Sequence, residues 1–237
     1  MKTTNKALFF AFIISLLFLS VYAAFGVIEL KEKIKNIKPI EFKNITCLKV
    51  DGDIFIWVYS KSRIRNYNEM SWGELKAKNL FVKQKNDTLE LIIKGGKEQY
   101  NGAVFNLQID SIKSIQVANY ANVRIFGAAN KDVKLIADEN SGIFVQGNAI
   151  KNLEVYLSGE AHVSIDTCMD ANVNLKGGSY LIFNHLQNKI KGVLYNRAFV
   201  DLDGDNYNAS ELVKKDSSAV VYRKNKVNGI VVRRLTY

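Results

Sequence analysis

The fold is decided by six short segments: Ala121-Asn-Val-Arg-Ile-Phe-Gly127, Ser141-Gly-Ile-Phe-Val-Gln-Gly147, Ala161-His-Val-Ser-Ile-Asp166, Ser179-Tyr-Leu-Ile-Phe-Asn184, Ala198-Phe-Val-Asp-Leu-Asp203 and Ser218-Ala-Val-Val-Tyr-Arg223. Each starts on Ala or Ser and carries apolar residues two and four places later. Those apolar pairs are Val123/Ile125, Ile143/Val145, Val163/Ile165, Leu181/Phe183, Val200/Leu202 and Val220/Tyr222, separated by 20, 20, 18, 19 and 20 residues. Glycine follows at Gly127, Gly147 and Gly204, where a chain leaving a strand needs positive φ.

A second alternating segment precedes each small residue: Ile115/Val117, Val133/Leu135, Leu153/Val155, Val173/Leu175 and Val193/Tyr195. In the sixth copy Leu212 and Val213 are adjacent. Alternation with period two marks a strand with one buried face, so each copy reads as strand, tight corner, strand, polar connection. A unit this short cannot bury its apolar face alone. Copies must therefore stack, each strand pairing in parallel with its counterpart one turn along. The expected product is all-β, a right-handed parallel β-helix, with the small residues filling a crowded corner column.

The corner residues, together with Glu41-Phe42-Lys43-Asn44-Ile45 and Thr88-Leu89-Glu90-Leu91, resemble the head-GIN domain of auto-transporter adhesins. The resemblance spans residues 41–224. Family corners read Gly-Ser-Gly or Gly-Ala-Gly, whereas here Gly142 follows Ser141, Gly178 precedes Ser179 and the remaining corners lack flanking glycine. The resemblance implies a β-helix, a surface location and no defined reaction.

Toward the N-terminus, Ala7 to Ile28 is an uncharged apolar run preceded by Lys2 and Lys6. A bilayer core of about 30 Å takes about 20 helical residues, so the run is long enough to span. Residues 1–28 are read as a signal-anchor transmembrane helix that contacts the membrane through residues 7–28. Val21-Tyr22-Ala23 offers the alternative of a secreted product cleaved near Ala23. Residues 29–40 form a charged stem ended by Pro39. Long downstream domains translocate largely regardless of flanking charge, which places the rest in the periplasm or outside the cell.

Residues 41–111 read as an N-terminal cap with first strands at Ile45–Val50 and Ile54–Val58, joined by a tight turn at Asp51-Gly52-Asp53, then Leu80–Lys83 and Leu89–Ile93, and a loop or short helix over Ser60–Lys78. Phe105, Leu107 and Ile109 begin the regular rungs. The repeated rungs occupy 112–224, and 225–237 is a basic C-terminal cap with a closing strand at Ile230–Val232.

The formal net charge is +10, concentrated at the C-terminus. Lys214, Lys215, Arg223, Lys224, Lys226, Arg233 and Arg234 stand against Asp216 alone. This is a candidate patch for anionic glycan or lipid head groups. Alternatively, the cations guard an exposed solenoid end against stacking. An exported domain excludes nucleic acid as a partner.

No cofactor motif is legible. Cys47 and Cys168 would lie several stacked strands apart, too far for a disulfide, and zinc-ligand clusters are missing. Asp201, Asp203 and Asp205 alternate, but glycine at loop position 4 and Leu212 at position 12 break the EF-hand pattern, so they read as a solvent face. His162 and His185 fall in different columns, and no nucleophile, base and orienter can be assembled. Asp166 and Lys151 read as solvated surface. The chain is expected to be a non-enzymatic, adhesin-like binding or scaffolding module. The alternatives are a carbohydrate-active β-helix enzyme, marked by a groove with convergent acids and bases, and a spacer or sensor lacking any concave patch.

Overall fold

The computed structural model describes residues 42–60, 80–93, 103–127, 129–203, 208–227 and 230–236. The expected N-terminal span and stem, and most of the loop or helix expected over 60–78, lie outside these residues. Among the described residues no helix is long and apolar enough to cross a membrane.

The described chain is all-β, with fifteen strands. The early strands are β1 (Cys47–Asp51), β2 (Ile54–Tyr59), β3 (Leu80–Lys85), β4 (Thr88–Ile93) and β5 (Ala103–Gln108). The middle of the coil is β6 (Ile112–Ala118), β7 (Asn122–Phe126), β8 (Ala129–Ala137), β9 (Gly142–Leu157), β10 (His162–Leu175) and β11 (Tyr180–Leu194). The last strands are β12 (Phe199–Asp203), β13 (Asn208–Lys214), β14 (Ala219–Val227) and β15 (Ile230–Thr236).

Strands before the corners stack in parallel in the order β4-β1-β6-β8-β9-β10-β11-β13, and strands after them as β5-β2-β7-β9-β10-β11-β12-β14. β9, β10 and β11 are long because each bends from one limb into the next and belongs to both stacks. The regular part makes about five turns, and the registers match the 20, 20, 18, 19 and 20 steps: Val123↔Ile143↔Val163↔Leu181↔Val200↔Val220.

The corner column forms as expected, and its cause is visible in the backbone. Ala121, Ser141, Ala161, Ser179, Ala198 and Ser218 are all buried. Each of the first five accepts, on its carbonyl, the amide of the residue after the next corner: Gly142, His162, Tyr180, Phe199 and Ala219, at 2.9–3.0 Å. Five hydrogen bonds thus run through a column that a larger side chain would force apart.

Two residues earlier a second column runs Asn119, Glu139, Gly159, Gly177, Asn196 and Asp216, all with positive φ. Positive φ at the first central residue is what primed turns require, which accounts for the Asn, Gly and Asp found there. Gly127 and Gly147 also have φ of 70°.

Inside, Ile125, Val145, Ile165, Phe183 and Leu202 form one register column and are buried. Burial of each such side chain contributes about 1.5–3 kcal/mol.

Three expectations need correction. The rungs do not follow chain order: β4 and β5 pair on the outer side of β1 and β2, which lie between them and β6 and β7. The chain lays its second rung outside its first, then crosses back, so β5 is a terminal strand and not the start of the regular rungs. Asp51-Gly52-Asp53 is accordingly a corner between limbs, since β1 and β2 do not pair.

The upstream register also differs. The true columns are Ile115↔Leu135↔Val155↔Val173↔Gly192↔Leu212 and Val117↔Ala137↔Leu157↔Leu175↔Leu194↔Lys214. Leu194 faces inward, and Val193 and Tyr195 do not. At Gly192, φ is 135° and a Cβ would lie 1.8 Å from the Val173 carbonyl oxygen. Only glycine fits, so the alternation breaks locally and misleads a reading by period.

At each end one limb is covered by an antiparallel strand, β3 on β4 and β15 on β14. Cys47 and Cys168 are free, with β6, β8 and β9 between their strands. Burial, and then the Asp170 charge, push the Cys168 thiol up to about 12. Cys47 is half-buried near the Asp87 carboxylate, whose pKa is lowered by the Thr46 hydroxyl at 2.6 Å.

Two predictions follow from this packing. Ser141 Oγ lies 2.6 Å from the Asp138 carbonyl and 3.2 Å from that of Val117, whereas Ser179 Oγ is buried with no partner among the described residues. In thermal melts Ser141→Ala should lose about 0.5–1.5 kcal/mol and Ser179→Ala nothing, or gain; equal losses would contradict this. A thiol reagent should label Cys47 alone in the native chain and both cysteines after denaturation, read by mass spectrometry of peptides; native labelling of Cys168 at a comparable rate would overturn its assignment.

Candidate functional site

The register irregularities gather on one side of the coil. Pairing shifts between Ile165 and Thr167 on β10 against β9, between Cys168 and Asp170 on β10 against β11, and between Lys189 and Lys191 on β11 against β13. Bulges bend a strand and re-aim its side chains. Beside them a groove of about 290 Å³ opens on the outer face of β9, β10 and β11, with Leu153 and Ala171 beneath it.

Six polar side chains line the groove as two register columns, Asn152↔Asp170↔Lys189 and Glu154↔Asn172↔Lys191. Parallel neighbours are about 4.8 Å apart, so amide, carboxylate and ammonium follow one another at that spacing. Two members are held by neighbours: Asn152 donates to Asp132 at 2.6 Å, and Asp170 accepts from Asn188 at 2.8 Å. Among the described residues Glu154, Asn172, Lys189 and Lys191 make no side-chain hydrogen bond or ion pair.

One outward position past Glu154 stands Tyr156, 39% exposed, with Lys134 Nζ 4.9 Å from its ring centroid. Its register partner Asn174 has a buried Oδ1 without a hydrogen-bond partner among the described residues.

The outer face of the other limb carries a different feature. Phe144, His162, Tyr180 and Phe199 form a ladder with centroid separations of 5.3, 5.2 and 4.9 Å. Asn122 and Gly142 leave a gap in the ladder, which Arg124 fills by lying 5.7 Å from the Phe55 ring and 5.3 Å from Phe144. The rings turn largely toward one another, so the stacking binds rung to rung and leaves little ring face for a ligand. His162 is pressed between Phe144 and Tyr180, and burial lowers its pKa. Its contribution to stability is therefore present above the ordinary imidazole range and is lost as pH falls below it.

The candidate basic patch falls on the last rung. Lys214 and Lys215 are exposed at the end of β13 and the following corner, with Lys215 Nζ 5.1 Å from the Tyr195 ring. Arg223, Lys224 and Lys226 lie on β14, and Arg233 and Arg234 on β15; the backbone register sets Arg223 opposite Arg233 and Tyr222 opposite Arg234. Asp201 corrects the solvent-face reading: it is buried, and its Oδ2 accepts the Tyr180 hydroxyl at 2.9 Å. Asp203 is half-buried and Asp205 lies outside the described residues. Asp166 accepts the Gly147 amide at 3.2 Å, and Lys151 is exposed. His162 and His185 occupy different columns, opposite Tyr180 and Thr167 respectively. No group of three or more His, Cys, Asp or Glu able to hold a metal occurs among the described residues.

Neither the groove nor the ladder is legible from the period of the sequence alone. The ladder had a signal, since its members His162, Tyr180 and Phe199 directly follow corner residues. The groove had none without the bulges, which put Asn152, Asp170 and Lys189 in one column.

No family model and no curated protein matches the chain, and the head-GIN likeness stays a resemblance carried by the corner residues. Among solved structures the chain is similar to a putative adhesin from Parabacteroides merdae ATCC 43184, with 12% identity and a TM-score of 0.46 over 79% of this chain and 95% of that one.

Proposed function

We propose that the chain is an exported, adhesin-like binding module of the cell envelope, a right-handed coil anchored by residues 7–28, with the groove on β9, β10 and β11 as its binding surface. One observation carries this reading: Glu154, Asn172, Lys189 and Lys191 converge on a concave patch with their hydrogen-bonding groups unspent. Glu154 and Lys191 stand two strands apart with Asn172 between them, too far to spend their hydrogen-bonding groups on each other, so the set is open to a ligand that spans them. A pure spacer would have no such concavity. The cations from Lys214 to Arg234 serve as a secondary contact with anionic lipid head groups or acidic polysaccharide.

A second reading, a carbohydrate-active enzyme, is favoured by one feature: Glu154 and Asp170 place two carboxylates in the same groove, the composition that acid–base cleavage of a glycosidic bond uses.

Protease added to cells with an intact cytoplasmic membrane should digest the domain from residue 42 onward, while carbonate extraction leaves the undigested chain in the membrane pellet. A protected domain would contradict export, and a soluble product beginning near Ala24 would contradict anchoring. A glycan and lipid screen on the full chain should give groove-dependent signals lost in Lys191→Glu, without release of reducing sugar. Sugar release would move the assignment to the enzyme.

A further inference from the structure

We infer that the groove's ligand is a short neutral glycan, about one or two pyranose rings, lying across β9, β10 and β11 with a ring face near Tyr156; this rests on the groove being the binding surface. Glu154 and Asp170 only accept, Lys189 and Lys191 only donate, and Asn152 and Asn172 do both. Two anions and two cations leave the groove without net charge. An anionic ligand would meet Glu154 and Asp170, and a cationic one Lys189 and Lys191.

A sugar hydroxyl both donates and accepts, so a row of hydroxyls can satisfy an acceptor, an amide and a donor that succeed one another about every 4.8 Å, as Glu154, Asn172 and Lys191 do. The groups nearest such a row are those left open among the described residues, Glu154, Asn172, Lys189 and Lys191.

Size and surroundings narrow the class further. At about 290 Å³ the groove is at the small end of ligand sites, which suits a glycan terminus more than a long buried chain. An extended peptide would seek an unpaired strand edge. β9, β10 and β11 are paired on both sides, so the groove offers a peptide backbone nothing to add to. Tyr156, one outward position beyond Glu154 and 39% exposed with Lys134 on its β8 side, supplies an aromatic ring as an apolar partner for the C–H face of a pyranose.

The test is calorimetric titration of the full chain in detergent with cellobiose, maltose and N,N′-diacetylchitobiose, beside digalacturonate as the anionic probe. At least one neutral disaccharide should bind saturably. Lys191→Ala and Tyr156→Ala should each weaken it about tenfold, while Tyr156→Phe and Lys49→Ala, on the same limb away from the groove, leave it unchanged. Melting curves of the variants should match that of the parent. Binding of digalacturonate alone, lost in Lys191→Ala, would overturn the neutral ligand and leave the groove as the binding surface. No saturable binding by any probe, or binding indifferent to both Lys191→Ala and Tyr156→Ala, would overturn the inference and the groove together.

Discussion

The carbonyl of each corner residue must reach the amide of the residue just past the next corner. Five such hydrogen bonds, from Ala121 through Ala198, thread the coil at 2.9–3.0 Å. They bring consecutive turns to strand-pairing distance where the chain reverses direction, and this constrains two neighbouring columns at once. The corner residue itself must be Ala or Ser. The residue two places earlier must tolerate positive φ, which is met by Asn119, Gly159, Gly177, Asn196 and Asp216, and at some strain by Glu139. With the corners in register, Val123, Ile143, Val163, Leu181 and Val200 are brought one above another, and the core follows.

A coil built this way separates stability from recognition. The interior is a continuous apolar column, and the outer faces are free to vary as long as the backbone ladder holds. One outer face is used for cohesion: Arg124, Phe144, His162, Tyr180 and Phe199 contact one another from turn to turn. The opposite limb departs from regular pairing at its bulges, and there Glu154, Asn172, Lys189 and Lys191 make no side-chain hydrogen bond among the described residues. Irregularity and unspent polarity coincide, as expected where local structure has been shaped by something other than folding.

Much of this was legible in the residues because it is local and periodic. The 18–20-residue step, the small corner residue, the inward face of each downstream limb and the closing strand at Ile230 all repeat or alternate within a few positions. The parts that escaped depend on contacts far apart in the chain. β4 and β5 come after β1 and β2 in sequence yet lie outside them in space, and nothing in either strand pair records that exchange. Gly192 removes one inward side chain, so Val193 and Tyr195 imitate a buried pair while Leu194 takes the core. The groove depends on three bulges whose positions follow from turns of unequal length, and residue types such as Asn152 or Lys189 look like ordinary surface until the register is known.

The whole coil depends on parallel, in-register stacking of strands one turn apart. In a Cys47→Ser background, the pair Lys134→Cys with Glu154→Cys places two exposed thiols on directly paired residues of β8 and β9. Parallel neighbours about 4.8 Å apart fall within the Cα separation a disulfide accepts, whereas Lys134→Cys with Asn172→Cys spans two turns and exceeds it. Mild oxidation should close the 134–154 bridge nearly completely without lowering the melting temperature and leave 134–172 open. A bridge at 134–172, or none at 134–154, would contradict the stacking.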